Sequence, residues 1–127
     1  MSDVQPTRKP SPGVIDRDAL RHYRRELEAI RSAGIEPLVS LHHFTNPTWL
    51  EAKGAWLQPA AVDRWLSFVE VVVRELGDVV TDWATINEPN VYATQGYLFG
   101  EFPPGRSNAF LSVRKVLRHM AIAHCRA

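Results

Sequence analysis

Cysteine is almost absent from this chain of 127 residues, which contains Cys125 and no other. A single cysteine excludes an intrachain disulfide and indicates a reducing setting. Residues 1–13 are polar and proline-rich without the apolar core of a signal peptide. The longest apolar stretches also fall well short of the roughly 20 residues that cross a bilayer. These absences predict a cytoplasmic protein without a membrane span.

An imbalance of charge is missing too, since 15 basic and 14 acidic side chains give a net charge of +1. The chain therefore lacks the strong field that attracts nucleic acid or an anionic membrane, and neither is an expected partner. Metal-ligand spacing is also missing. His42 and His43 are neighbours on an expected strand and point to opposite faces, while His124 and Cys125 form an isolated pair. We predict no metal site and no cofactor.

Three segments do show the three- and four-residue apolar spacing of helices. The first follows Asp16, a candidate N-cap, and is expected to end at Gly34, while the second is expected to end at Gly77. The apolar faces are expected at Leu20, Tyr23, Leu27 and Ile30, then at Val62, Trp65, Val69, Val72 and Leu76, and in the third helix at Phe110, Val113, Leu117 and Met120.

Two apolar segments between these helices are typical of buried strands, and they cover Glu36–His43 and Val79–Asn87. Each predicted strand is followed by a predicted long loop. The first loop covers residues 46–59 and is rich in tryptophan, and the second contains Tyr92 to Gly105. Connections of more than about a dozen residues in an α/β unit are usually functional, so these loops mark the expected functional edge of the sheet.

Helices that alternate with apolar strands predict parallel pairing through right-handed crossovers, hence an α/β fold. A closed (β/α)8 TIM barrel needs about 250 residues, roughly double this chain. We therefore expect one partial (β/α)8 barrel domain over residues 1–127, with about two β/α units, an extra preceding helix and a loop over residues 1–13. Its unpaired strand edges are expected to need the remaining barrel strands or self-association.

The second predicted strand ends abruptly in Asn87, Glu88 and Pro89. At the carboxyl end of a barrel strand, side chains face the bowl in which barrel enzymes do their chemistry, so Glu88 is a candidate proton donor. A triplet of this composition also ends strands in ordinary turns, and local chemistry alone favours that simpler explanation.

Several motifs in a fixed order resemble one family, the family 1 glycoside hydrolases, or β-glucosidase group, which are retaining enzymes on a β/α barrel. The resemblance covers nearly the whole chain and places it at the third and fourth barrel strands of that family. Its motifs are Gly34–Pro37 leading to Leu41–Phe44 and then Pro47, Trp49 and Leu50; Gly54–Trp56; Thr85–Asn90; and Gly96, Tyr97, Phe99, Gly100, Pro104 and Gly105.

The resemblance implies hydrolysis of β-glycosides and a role for three residues. Glu88 matches the general acid/base, which protonates the glycosidic oxygen and later deprotonates the water that releases the glycosyl-enzyme. Asn87 matches the asparagine that hydrogen-bonds the sugar hydroxyl beside the anomeric carbon, and His43 matches the histidine that contacts the sugar ring. For a lone strand histidine, packing in the core is the commoner role, and we expect it for His42.

A retaining glycosidase needs a second carboxylate about 5 to 5.5 Å from the first, and no glutamate here has the strand-end context of that nucleophile. Phe44 and Thr45 also replace a tryptophan and an aspartate that many members have. The chain is therefore expected to carry the acid/base half of a β-glucosidase-like site. The alternatives are a non-catalytic remnant or weak sugar-binding module, and another barrel glycosidase of the same clan, such as an endoglucanase or xylanase.

The aromatic residues are expected mainly to pack. Trp65 is predicted in the core, Trp83 in a layer of the barrel, and Trp49 and Trp56 as supports of the first long loop with a smaller chance of touching sugar. The second loop is expected either to border the leaving-group site or to pack on itself through Tyr92, Tyr97 and Phe99.

Overall fold

The computed structural model describes residues 11–127, so most of the loop predicted over residues 1–13 lies outside the described residues. In chain order the elements are α1 (Arg17–Ser32), β1 (Leu38–Ser40), α2 (Thr48–Glu51), a 3₁₀ turn (Ala55–Leu57), α3 (Ala60–Leu76), β2 (Asp82–Ala84), α4 (Pro89–Tyr97) and α5 (Phe110–Arg126).

The ends of the long helices follow from their capping residues. The Asp16 carboxylate accepts hydrogen bonds from the backbone N–H groups of Asp18 and Ala19 at 3.0 and 2.9 Å, which satisfies donors that the first turn leaves open. Gly34 follows α1 with a φ of +78°, a conformation that glycine adopts without strain. Gly77 is the C-cap of α3. The predicted cap at Asp16 and the predicted stops at both glycines are confirmed.

The strands are parallel, as predicted, but shorter than predicted. β1 pairs with β2 in a register that sets Leu38 opposite Asp82, Val39 opposite Trp83 and Ser40 opposite Ala84. Each strand has three residues instead of the eight or nine expected for Glu36–His43 and Val79–Asn87. Within residues 11–127 the sheet has these two strands, and a pair without further neighbours keeps a regular ladder only over a short length.

Both stretches predicted as loops contain helix, and that prediction was wrong. The first holds α2 and the 3₁₀ turn, and the second holds α4. Pro89 occupies the first turn of α4, where its missing N–H and fixed φ favour a helix start. The buried residues of α4 lie on one face of the helix, but that face consists of tyrosine, alanine and glycine instead of the strongly apolar stripe by which a helix is recognised: Tyr92, Ala93, Gly96 and Tyr97.

The main core lies where α3, α4, α5 and the 3₁₀ turn meet. Its largest fully buried side chains are Trp56, Tyr92, Tyr97, Met120 and Val116. Trp65 is buried there as predicted, whereas the predicted face of α5 was partly wrong, since Val116, Met120 and Ala123 are its buried residues. Phe110 is 68% exposed because it is the first residue of that helix.

A second, smaller core joins α1 to α3 and the sheet. Leu27 packs there with Val72, Leu76 and Val80. Trp83, predicted in a layer of the barrel, packs against this second core, on the helix-facing side of β2. Because successive side chains of a strand point to opposite faces, Leu38 of β1 points away from the second core and is 69% exposed. The predicted stripe of α1 is buried only at Leu27, and Tyr23 and Ile30 remain exposed.

Candidate active site at the carboxyl ends of the strands

The strand register brings His43 and Asn87 side by side. Ser40 lies opposite Ala84 in the ladder. His43 comes three residues after Ser40, and Asn87 comes three residues after Ala84. The pairing continues past the regular strands, because the Leu41 N–H donates to the Ala84 carbonyl at 2.8 Å and the Asn87 N–H donates to the His42 carbonyl at 2.9 Å. Equivalent positions on neighbouring parallel strands therefore meet at one edge of the sheet.

The two side chains touch through a hydrogen bond. The Asn87 side-chain amide donates to His43 Nε2 over 3.3 Å. His43 is exposed and Asn87 is half-buried, so both still offer polar atoms to solvent. This pair can hydrogen-bond neighbouring hydroxyl groups of one ligand.

Glu88 adjoins this pair in a conformation that a glutamate rarely adopts. Its φ of +46° and ψ of +56° lie in the left-handed region, which costs a residue with a side chain about 1 to 3 kcal/mol. Its carbonyl accepts the Tyr92 N–H at 3.1 Å as the first bond of α4. The Glu88 carboxylate is exposed and makes no hydrogen bond to the described residues. A strained turn thus presents a carboxyl group at the edge where His43 and Asn87 meet.

His43, Asn87 and Glu88, which were singled out from the sequence, lie together, whereas His42 points the other way. Its imidazole is 5% exposed and packs edge-on against the rings of Trp56 and Tyr92, with centroids 5.5 and 5.4 Å away. The predicted packing role of His42 is confirmed.

Sequence reasoning missed Asn46, which connects the buried polar groups behind the site. Its side-chain carbonyl lies 3.1 Å from both His42 Nε2 and Trp56 Nε1, and its amide donates to Glu51 at 2.6 Å and to the Tyr92 hydroxyl at 2.9 Å. Each polar atom of Asn46 therefore has two partners. Followed by Pro47, this asparagine has the sequence signal of an ordinary turn, which hid its role.

Burial changes the protonation of this network. It lowers the pKa of the His42 imidazole, an effect that the hydrogen bond to Asn46 opposes and the neighbouring His43 adds to. Burial also raises the pKa of the Tyr92 hydroxyl far above its ordinary range. His42 is thus neutral at neutral pH, and Tyr92 keeps its proton. Because the Asn46 oxygen can only accept, we assign the His42 proton to Nε2, and Trp56 Nε1, 3.3 Å from that nitrogen, donates to Asn46 instead. His42 Nδ1 is then buried without a partner among the described residues.

The depressed pKa of His42 predicts a loss of stability in mild acid. The unfolded chain holds this imidazole near its ordinary pKa of about 6.5 and so binds more protons than the folded chain below that pH. The free energy of unfolding should therefore fall as the pH drops below about 6.5, by at most about 1.4 kcal/mol per pH unit for this group.

Urea denaturation at several pH values from 7.5 to 5 measures this loss. The His42→Gln variant, which cannot be protonated there but keeps an amide donor toward Asn46, should have a smaller slope of stability against pH. An equal slope in the two proteins would contradict the assignment to His42.

Among the residues that the structure describes, neither Glu51 nor Glu101 supplies a second carboxylate at this edge. Glu51 Oε1 accepts from Asn46 inside the network, and Glu101 is exposed in the segment after α4. Across residues 11–127, no three His, Cys, Asp or Glu side chains are grouped closely enough to hold a metal ion. No helix in the described part of the chain is both long and apolar enough to cross a membrane.

Comparison with known proteins supports the resemblance found in the sequence. The family model of glycosyl hydrolase family 1 matches residues 6–127. A coniferin β-glucosidase from Pinus contorta is 39% identical over 98 residues, which cover 76% of this chain and 19% of that protein. The chain thus spans about a fifth of the length of this relative.

Solved structures give the same result. A β-glucosidase from Exiguobacterium marinum superposes with a TM-score of 0.88 at 29% identity, covering 92% of this chain and 26% of the other. The Thermotoga maritima family 1 β-glucosidase, in complex with isofagomine lactam, superposes with a TM-score of 0.86 at 30% identity, covering 90% of this chain and 26% of the other. Since the family model covers nearly all residues, the chain belongs to glycosyl hydrolase family 1.

Proposed function

We propose that this chain supplies the acid/base half of a retaining β-glycosidase site, within a barrel completed by further strands. One observation carries the proposal: a half-buried amide and an exposed imidazole touch where two parallel strands end, and an exposed glutamate follows the amide directly in the chain. This is the edge at which β/α barrel enzymes bind their substrates. Family 1 relatives named β-glucosidases support β-glycosides as the substrate class.

In the proposed reaction Glu88 begins protonated and gives its proton to the glycosidic oxygen as the bond to the leaving group breaks. The resulting carboxylate then takes a proton from the water that releases the covalent glycosyl-enzyme. The Asn87 amide binds the hydroxyl beside the anomeric carbon, a contact that strengthens as positive charge develops on the sugar ring. His43 binds a neighbouring ring hydroxyl.

The nucleophile of this reaction is a second carboxylate, which we assign to the rest of the barrel. Leu38, Tyr23 and Ile30 are apolar side chains that the described residues leave exposed, on β1 and α1. In the solved relatives, about three quarters of the chain lies outside the matched segment. We infer that neighbouring barrel units cover these side chains and the open strand edges, and association of two copies of this chain is the alternative.

A chimeric enzyme tests the proposal directly. Residues 6–127 would replace the matching segment of the Thermotoga maritima β-glucosidase, and the product is here termed the grafted enzyme. We expect it to release nitrophenol from nitrophenyl β-glucoside or β-galactoside. The 127-residue chain alone should give no turnover, because its site holds one carboxyl group where the retaining mechanism needs two.

Circular dichroism and thermal melting establish whether each protein is folded. A grafted enzyme that melts cooperatively yet hydrolyses neither glycoside would contradict the proposal and favour a sugar-binding or non-catalytic role. Turnover by the isolated chain would show instead that a nucleophile is present, contributed by this chain or by a second copy, and analytical ultracentrifugation separates these two cases.

A further inference from the structure

We propose that Asn46 is a positioning residue. By hydrogen-bonding to His42 and to Tyr92, it holds the two segments that fix the backbone of Asn87 and Glu88. The effect of Asn46 on the backbone is inferred from contacts alone. Its effect on catalysis rests in addition on the proposed acid/base role of Glu88. Asn46 itself faces the buried interior, so it acts through other residues and does not touch a substrate bound at the strand ends.

The first connection runs through the first strand segment. Asn46 Oδ1 accepts the Nε2–H of neutral His42 at 3.1 Å, and the Trp56 indole N–H donates to the same oxygen at 3.1 Å. The His42 ring is thereby held at Nε2, and it also packs edge-on against the rings of Trp56 and Tyr92. The His42 carbonyl accepts the backbone N–H of Asn87 at 2.9 Å. A shift of His42 would therefore move Asn87.

The second connection runs through α4. Asn46 Nδ2 donates to the Tyr92 hydroxyl at 2.9 Å, and Tyr92 is fully buried. The Tyr92 backbone N–H in turn donates to the Glu88 carbonyl at 3.1 Å. Since Glu88 is the residue in the left-handed conformation, this bond helps to hold the strained turn that presents its carboxylate.

Within residues 11–127, Asn46 hydrogen-bonds to both connections, whose rings at His42 and Tyr92 also pack edge-on against each other. Its amide is anchored by a further bond, to Glu51 at 2.6 Å, so its carbonyl is aimed at His42 and Trp56 and cannot exchange places with the amide. Loss of Asn46 takes a hydrogen-bond partner from the buried groups of Trp56 and Tyr92 at once, in a network where His42 Nδ1 is already buried without a partner among the described residues. The expected result is a shift of the site residues without unfolding of the helical core.

Hydrogen exchange of the 127-residue chain tests the structural part without any activity. In Asn46→Leu, we expect the backbone amides of Asn87 and Tyr92 to exchange about tenfold faster, whereas amides in α5 change far less. Val72→Ala, which creates a cavity in the second core, is the matched control. It should not accelerate the exchange of the Asn87 and Tyr92 amides more than that of other amides. Equal acceleration at all amides, or none at these two, would overturn the proposal.

A second variant covers the case in which Asn46→Leu does not fold. Tyr92→Phe removes one hydroxyl and keeps the ring in the core, so only the connection through α4 is cut. We expect faster exchange at the Tyr92 amide, by about threefold or more, and little change at Asn87. Unchanged exchange at Tyr92 would overturn this half of the proposal.

The catalytic part is tested in the grafted enzyme with two leaving groups. A misplaced acid harms phenyl β-glucoside, whose leaving group needs a proton, more than 2,4-dinitrophenyl β-glucoside, whose leaving group does not. For Asn46→Leu we expect about a tenfold or greater loss of kcat/KM with the first substrate and less than about threefold with the second.

Equal losses with both substrates would mean that Asn46 only maintains the folded state, and would overturn its positioning role. If the grafted enzyme with Asn46 intact is inactive, the proposed function fails. In that case the hydrogen-exchange result still decides whether Asn46 fixes the backbone of Asn87 and Glu88.

Discussion

Replacing Glu88 by glutamine in the grafted enzyme should lower kcat/KM for phenyl β-glucoside by about 10²- to 10⁴-fold, the range that general acid–base catalysis contributes. Glutamine keeps the shape of the side chain but cannot release a proton to the glycosidic oxygen. Since Glu88 is exposed and its carboxylate makes no hydrogen bond to the described residues, the change should leave the melting temperature nearly unaltered.

The leaving group separates a lost acid from a general defect. With 2,4-dinitrophenyl β-glucoside the first step needs no protonation, so Glu88→Gln should still form the glycosyl-enzyme and then stall, because no base activates water. A burst of dinitrophenol followed by slow turnover is the expected time course. Azide, a nucleophile that needs no general base, should speed the slow step in the smaller Glu88→Ala variant and yield a β-glycosyl azide.

Glu101→Gln is the matched control, because Glu101 is another exposed glutamate that follows the same strand. It should retain the activity of the parent with both substrates. If Glu88→Gln were as active as this control toward phenyl β-glucoside, Glu88 would not be the acid. A loss of equal size with both substrates would assign Glu88 a role in binding or folding instead.

The sequence correctly predicted the parts of the fold that depend on capping residues and on the order of helices and strands. Asp16 caps α1, Gly77 ends α3, and the parallel pairing follows from the alternation of helix and strand. It failed at α4, since the buried face of this helix consists of two tyrosines, an alanine and a glycine, which looked like a loop and not like an apolar stripe. The strand lengths were overestimated because the apolar pattern continues past the point where the ladder stops.

For the candidate site, the sequence indicated the residues but not their geometry. Asn87 and Glu88 stood out at a strand end, and His43 was chosen over His42 through the family resemblance, yet their contact depends on the register of Ser40 with Ala84. Register is a tertiary property that a single strand does not encode. Asn46 escaped notice because its role depends on how His42, Trp56 and the distant Tyr92 pack around it, while its own residue type suits a turn.

Truncating Trp56 to alanine should destabilise the 127-residue chain more than any other tryptophan substitution. The side chain is fully buried among rings of the main core, including Trp65 at a centroid distance of 6.1 Å. Tryptophan-to-alanine changes in cores cost about 3 to 5 kcal/mol, a large share of the roughly 5 to 15 kcal/mol that stabilises a typical domain. Urea denaturation followed by circular dichroism measures the loss.

Trp49→Ala is the matched control, since Trp49 is half-buried and its ring is covered by the Arg64 guanidinium at 5.5 Å. An exposed contact of that kind contributes about 0.5 to 1 kcal/mol, so this variant should remain folded. Trp56→Phe should lie between the two, because it keeps most of the ring volume but removes the indole N–H that donates to Asn46. If Trp56→Phe cost as much as Trp56→Ala, the hydrogen bond to Asn46 would outweigh the packing of the ring, and the polar network behind Glu88 would be the main stabiliser of this end of the fold.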